Sequence, residues 1–342
     1  MCRGVISAKI DISMVTFSRV WFCNGNALGF EKASSPILSG ETHVHRKRVF
    51  SEGATLKGRW YGAENGPKAP CIVMCHGTSA TITMCLSDYA SEFQKNGFNV
   101  FLFDHAGFGA SGGAVRQTIN PWVQAKGISD AVDFVRTLDQ HHNGRIVLWG
   151  DSFAGMLVLT VGAVVKDLAG IVSFTASCGL TILDFDDTEK DFETFKTIFE
   201  AGEFDRFKDF SREGPMPVVS ADQMNMPSLL TPIQAFRWFI DQGGKFNTGW
   251  ENHVTRVIPQ TDVPLTPLLT APFIKAPVLI MIGKDDEMPL ISRDVQLEVF
   301  ERIGRKKEFY EIDGGHFGAI YPHTPLFYEA IARQSVFIRS LL

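Results

Sequence analysis

No stretch of the chain approaches the run of about 20 apolar residues that a membrane-spanning helix requires, although 45% of its 342 residues are hydrophobic. The N-terminus does not read as a secretory leader. Arg3, Lys9, Asp11 and Arg19 interrupt every apolar stretch before it becomes long enough. Cysteine is scarce, at positions 2, 23, 71, 75, 85 and 178. Cys71 and Cys75 flank an apolar Ile-Val-Met and read as small core residues, and no second pair follows at zinc spacing. A reducing, cytoplasmic setting without a metal is the simplest expectation. Charge of neither sign dominates: 33 Lys plus Arg against 38 Asp plus Glu leave a formal net charge of -5. That balance argues against a nucleic-acid surface. The short basic run His45-Arg46-Lys47-Arg48 leads straight into Val49-Phe50 and reads as the solvated face of a first strand. There are no internal repeats and no low-complexity segment.

What is present is an alternation of strand and helix signals. Strand candidates stand at Val44–Phe50, Thr55–Tyr61, Cys71–Cys75, Val100–Asp104, Arg145–Trp149, Gly170–Thr175, Pro277–Ile282 and Glu308–Ile312, most of them short continuous apolar runs, as in strands buried on both faces of a parallel sheet. Helical patterns lie between them: Ser87–Asn96, a longer one from Asn120-Pro121 to Leu138, Met156–Val165, Ser292–Ile303 and Thr324–Leu341. This predicts an α/β architecture, a mostly parallel eight-stranded sheet flanked by helices. Residues 41–177 and 273–342 would form that core. Residues 178–272 carry no comparable strand signal, and Phe192, Phe195 and Phe199 recur there at helical spacing. A helical cap is expected, its phenylalanines serving helix packing first and an apolar roof over a substrate second. Residues 1–40 form an extension that the sequence does not assign.

The sharpest chemical signal is Trp149-Gly150-Asp151-Ser152-Phe153-Ala154-Gly155, which follows the strand Ile146-Val147-Leu148 and precedes a helix. A serine on a sharp strand-to-helix turn needs small residues two places before and after it. Here the second small position is Ala154, one methyl group larger than glycine. A nucleophilic serine also needs a base, an acid to orient the base, and donors for the oxyanion. In this kind of sheet they arrive in the order serine, acid, histidine. Past a later strand stands Lys284-Asp285-Asp286-Glu287-Met288-Pro289, and past the last one Asp313-Gly314-Gly315-His316-Phe317. His316 is the expected base. The spacing to Pro289 favours Asp285 as the acid, with Asp286 the alternative. Oxyanion donors are expected from the backbone N–H groups of Phe153 and of Thr78, which Gly77 allows to turn towards the same point.

Weaker candidates fall away. The glycine-rich segment Asp104–Gly113 lacks both the Lys-Ser/Thr pair and the G-x-G-x-x-G spacing of nucleotide loops, so no cofactor is expected. His76 is read as structural and hydrogen-bonded. His43, His45, His141 and His142 have no partners at metal spacing.

His76-Gly77, Asp104 to Ser111, Gly150-x-Ser152, Gly283-x-Asp285 and Gly315-His316-Phe317 together resemble the α/β-hydrolase superfamily. The Asp88-Tyr89 pair, the Phe108–Ser111 turn and Trp250-Glu251-Asn252 resemble a dienelactone-hydrolase-like branch that includes fungal polyketide transferases and toxin-biosynthesis hydrolases. The likeness spans about residues 41–342. It implies Ser152 as nucleophile, Asp285 as acid and His316 as base, acting on acyl chains of secondary metabolism. The expectation is therefore a serine hydrolase for a small-molecule ester, thioester or lactone. The alternatives are an acyltransferase with an alcohol acceptor and a non-catalytic binding protein on the same fold. Oligomeric state is not legible.

Overall fold

A computed structural model of the chain describes residues 22–23, 26–27, 44–64, 66, 69–138, 145–204 and 210–341. The chain divides into two compact units, Met1–Thr42 and His43–Leu342. The first contains a short antiparallel pair, Phe22–Cys23 with Asn26–Ala27. Most of residues 1–40, together with His43, His141 and His142, lie outside the described residues, as do the readings that fell on them.

In the second unit, eight strands form one sheet: β1 (Val44–Ser51), β2 (Ala54–Tyr61), β3 (Cys71–Cys75), β4 (Asn99–Phe103), β5 (Ile146–Asp151), β6 (Gly170–Phe174), β7 (Val278–Gly283) and β8 (Lys307–Ile312). Their order across the sheet is β8-β7-β6-β5-β3-β4-β2-β1. Only β2 runs against its neighbours, and the other pairings are parallel. Every residue of β3 to β7 is buried, which explains their unbroken apolar runs. The strand order reverses where β3 lies between β4 and β5. At such a switch point a crevice opens beyond the carboxyl ends of the strands, and the segments after β3 and β5 are the ones that carry His76–Thr78 and Ser152.

Helices cover both faces. One core cluster gathers α2 (Pro121–Arg136), α3 (Phe153–Val161), α4 (Thr188–Ala201) and α6 (Arg293–Arg302); the other gathers α1 (Leu86–Lys95), α5 (Ile233–Gly243) and α7 (Pro325–Arg339). Local sequence starts these helices. Asn120 accepts the Trp122 N–H at 3.2 Å ahead of Pro121, and Thr324 accepts the Phe327 N–H at 3.2 Å ahead of Pro325. Among the described residues no helix is long and apolar enough to cross a membrane.

Residues 178–272 are not wholly helical. Beside α4 and α5 they contribute Phe210–Met216 and Val254–Pro259, an antiparallel pair extended by Thr118–Ile119 into a three-stranded sheet. The first of these strands is exposed for most of its length and reads Ser-Arg-Glu-Gly-Pro, so no apolar alternation announced it. The Phe192–Phe195–Phe199 stripe packs inward: Phe192 stacks on Phe273 at 3.8 Å between ring centroids, and Phe195 lies 5.1 Å from Trp122. These rings serve helix packing, and the roof over the crevice comes from elsewhere in the segment.

One buried polar contact ties the central strand to the last helix: the Trp149 indole N–H donates to Gln334 Oε1 at 2.8 Å, with both residues fully buried. Gln334→Leu leaves that N–H without an acceptor and should destabilise the fold by about 1–3 kcal/mol. An unchanged urea-unfolding midpoint would contradict this role.

Candidate active site

Ser152 sits between β5 and α3 with φ 54° and ψ -119°, a conformation that L-residues rarely adopt. Its neighbours hold it there. The Ser152 N–H donates to the Phe174 carbonyl at 2.8 Å, and its own carbonyl accepts from Met156 and Ser177. The turn is tight enough that a Cβ on Gly150 would meet the Ala154 carbonyl oxygen at 2.4 Å, and one on Gly155 would meet the Phe174 carbonyl oxygen at 2.9 Å. Ala154 is tolerated because it faces the missing side chain of Gly150, 3.0 Å from where that Cβ would stand.

His316 follows β8 and is almost fully buried. Its Nδ1 lies 2.9 Å from Asp286 Oδ2, whose second oxygen accepts the Met288 N–H at 3.0 Å. The partner of the imidazole is thus Asp286 and not the expected Asp285. The reason lies in the backbone. Pairing with the chain after β8 continues past β7, with Lys284 N–H on the Ile312 carbonyl and Asp285 N–H on the Gly314 carbonyl. That places Asp285 in solvent and brings the next side chain, 7% exposed, against the ring. Glu287, which the sequence reading passed over, accepts the His316 N–H at 2.9 Å and fills the space beside Gly315. Three successive acidic residues therefore have three different settings.

On the other side of the serine, the segment after β3 is fixed by His76 and Asp104. His76 Nδ1 is 2.9 Å from the Gly77 carbonyl, and its Nε2 accepts the His105 N–H at 3.1 Å. Both ring nitrogens are used, and burial pushes the imidazole pKa down, so the ring is neutral and structural. The Asp104 carboxylate accepts the N–H groups of Ile82 and Ala110 at 3.0 Å each, and the Gly109 backbone closes over it too tightly for any Cβ. The glycine-rich segment is a loop wrapped around a carboxylate. Asp151, also unflagged in the sequence, accepts the Gly77 N–H at 3.1 Å. Burial pushes its carboxyl up to about 6, against the opposing influence of His316 and of the Gly77 N–H.

Ser152, His316, Asp151, Gly77 and Thr78 line one small cavity of about 20 Å³, roofed by Trp238, Phe239 and Leu230. It has space for about one water-sized group. Ser152, Thr78 and Phe153 also border a larger cavity of about 180 Å³, lined chiefly by Ile119, Met156, Leu229, Met288 and Ile291, with Arg256 as its one charged wall residue among those described. The structure thus gathers Ser152, His316, Thr78 and Phe153 around adjoining cavities and leaves Asp285 outside both. Apolar walls with a few convergent polar groups describe a site for a small organic molecule.

The fold is that of the α/β hydrolases. The family model described as Serine aminopeptidase, S33 (Hydrolase_4) matches residues 66–195. Over 294 residues the chain is 28% identical to a thiohydrolase of Aspergillus aculeatus, a match covering 82% of this chain and 88% of that protein. A polyketide transferase from a Penicillium species is 24% identical over 273 residues, 79% of this chain and 88% of the relative. The crystal structure of the α/β hydrolase GrgF from Penicillium matches with a TM-score of 0.65 at 21% identity, covering 87% of this chain and 98% of the other.

The Asp151 setting makes a prediction about stability. Its carboxyl is raised from 3.8 to about 6 on folding, so the folded chain holds this proton more tightly than the unfolded chain. Stability should therefore fall as pH rises through that window, by about 2–3 kcal/mol from this group. Asp151→Asn keeps an acceptor for Gly77 but carries no proton to release, and should lose that part of the decline. Urea unfolding of both proteins at pH 4 and pH 7 makes the comparison; equal pH dependence would contradict the assignment.

Proposed function

We propose that the chain is a serine hydrolase that cleaves an ester, thioester or lactone through an acyl-enzyme on Ser152, with His316 as base and Asp286 as orienting acid. One observation carries this reading. Asp286 engages Nδ1 of His316, which leaves Nε2 for the cavity that the histidine shares with Ser152. Nothing in a purely structural histidine requires a serine with positive φ beside it. The elbow geometry supports the same role, since it presents the hydroxyl at the carboxyl edge of the sheet.

In the proposed reaction Ser152 Oγ attacks the substrate carbonyl carbon while His316 Nε2 takes the hydroxyl proton. The carbonyl oxygen becomes an oxyanion held by the backbone N–H groups of Thr78 and Phe153. As the C–O or C–S bond breaks, His316 returns the proton to the leaving alcohol or thiol. Water, deprotonated by the same nitrogen, then attacks the acyl carbon; the bond to Ser152 Oγ breaks, His316 returns the proton to that oxygen, and the acid is released. The apolar 180 Å³ cavity suits the acyl chain. Asp286 holds the imidazole in the tautomer that can accept a proton and stabilises the imidazolium that results.

Transfer to an alcohol is the second reading, and the roof of Trp238, Phe239 and Leu230 favours it, because an apolar cover admits an organic acceptor as readily as water. The likeness to a polyketide transferase agrees with it. A new ester, detected by mass spectrometry when candidate alcohols are added, separates transfer from hydrolysis. A non-catalytic binding protein would need neither the elbow nor the Asp286–His316 pair.

With p-nitrophenyl ester or acyl thioester substrates, Ser152→Ala is expected to lower kcat by as much as about 10⁶-fold. Asp286→Asn should lower it by about 10⁴-fold by removing the group that holds the tautomer, and Asp285→Asn should leave it near wild type. Near-wild-type turnover in Ser152→Ala would overturn the nucleophile. Loss in Asp285→Asn without loss in Asp286→Asn would overturn the acid.

A further inference from the structure

The basic run that opens β1 does not face empty solvent. Arg46 pairs in register with Arg59 on β2, and Arg48 with Lys57, so two cationic pairs stand directly opposite each other on one face of the hairpin. Directly opposed like charges destabilise a strand pair. None of these four side chains lies within ion-pair distance of a carboxylate among the described residues. Arg59 has one polar partner, donating to Ser87 Oγ at 3.2 Å.

All four border a cleft of about 490 Å³, closed on its other side by Ile82, Thr83 and the Asn247–Gly249 turn. Among the described residues Asp104 is the one acid that borders it; its oxygens accept the N–H groups of Ile82 and Ala110, and its charge acts on Arg59. Among the described residues Arg46, Lys47, Arg48, Lys57 and Arg59 border the cleft against that one carboxylate, so its walls carry a net positive charge. The Thr83 hydroxyl and the turn are held together, since Thr81 and Thr83 both donate to the Thr248 carbonyl, at 2.8 and 2.7 Å, so the far wall is fixed.

We propose that this cleft binds a phosphate ester. Two opposed cationic pairs call for a ligand with more than one negative charge, and arginine forks match phosphate oxygens in pairs. A carboxylate brings a single negative charge, half of what either pair carries, whereas a phosphate monoester brings about two. The phosphate could arrive on the thiol carrier of an acyl donor, because the loop from Gly77 to Thr83 borders the serine cavity at Ala80 and this cleft at Ile82. It could equally arrive as a free phosphate ester, and the experiment distinguishes these sources. The site does not depend on the serine chemistry, and neither does its test.

Isothermal titration of the full chain with pyrophosphate, coenzyme A and pantetheine, at low and high salt, tests the proposal. Pyrophosphate and coenzyme A should bind, pantetheine should not bind at this site, and binding should weaken with salt. The double substitution Arg48→Gln and Lys57→Gln should raise Kd by about tenfold or more. It should not lower Tm, because it removes a repulsive pair; a fall in Tm together with lost binding would mark these residues as structural and overturn the site. Tighter binding of coenzyme A than of pyrophosphate would place the phosphate on an acyl carrier, and equal binding would make it a separate ligand. Absence of pyrophosphate and coenzyme A binding at low salt, or the same Kd in the double variant, would overturn the proposal.

Discussion

The positive φ of Ser152 is the constraint on which the rest of the site turns. A backbone angle of this kind persists only where its surroundings over-determine it. Here they do so through the Phe174 carbonyl, the first turn of α3, and two glycines whose replacement would drive a Cβ into a carbonyl oxygen. The same angle lifts the serine out of the strand register towards the crevice, where β3 and β8 deliver Gly77–Thr78 and His316. The sheet is thus a frame that brings three separate loops to one edge. The strain at the serine is balanced by a core that leaves the chain no alternative path.

How far this was readable from residues alone depends on what each feature needs. The turns that bring Ser152 and His316 to one cavity were legible because each needs small residues at fixed offsets, and Gly150, Gly314 and Gly315 are visible as such. The strands β3 to β7 were legible because burial on both faces demands apolar runs. The acid was not. Asp285 and Asp286 are adjacent and identical, and what distinguishes them is a backbone hydrogen bond from Asp285 to Gly314, some thirty residues away in sequence. The small sheet of the inserted segment was hidden for the opposite reason, since Phe210–Met216 is largely exposed and carries no pattern. Asp151 and Glu287 were missed because each sits at a position where a motif permits any residue, and only the fold shows that one meets Gly77 and the other the His316 backbone.

Electrostatics organises the site at two depths. Close to the serine, carboxylates act singly and each has a defined partner: Asp286 on the imidazole, Glu287 on the loop backbone, Asp151 on the Gly77 N–H. Farther out, the edge hairpin presents cations that the described residues do not pair. The first arrangement fixes the imidazole and the loops around the serine, and the second leaves positive charge at the sheet edge. In the proposed reaction the 180 Å³ cavity beside Ser152 is where selectivity for the acyl group would reside.

The central claim is that Ser152 becomes covalently acylated. Treating the intact chain with a fluorophosphonate, then measuring its mass and mapping the modified peptide, tests this directly. The account predicts a single adduct on Ser152. No adduct on the folded protein, or an adduct at any other residue, would contradict it.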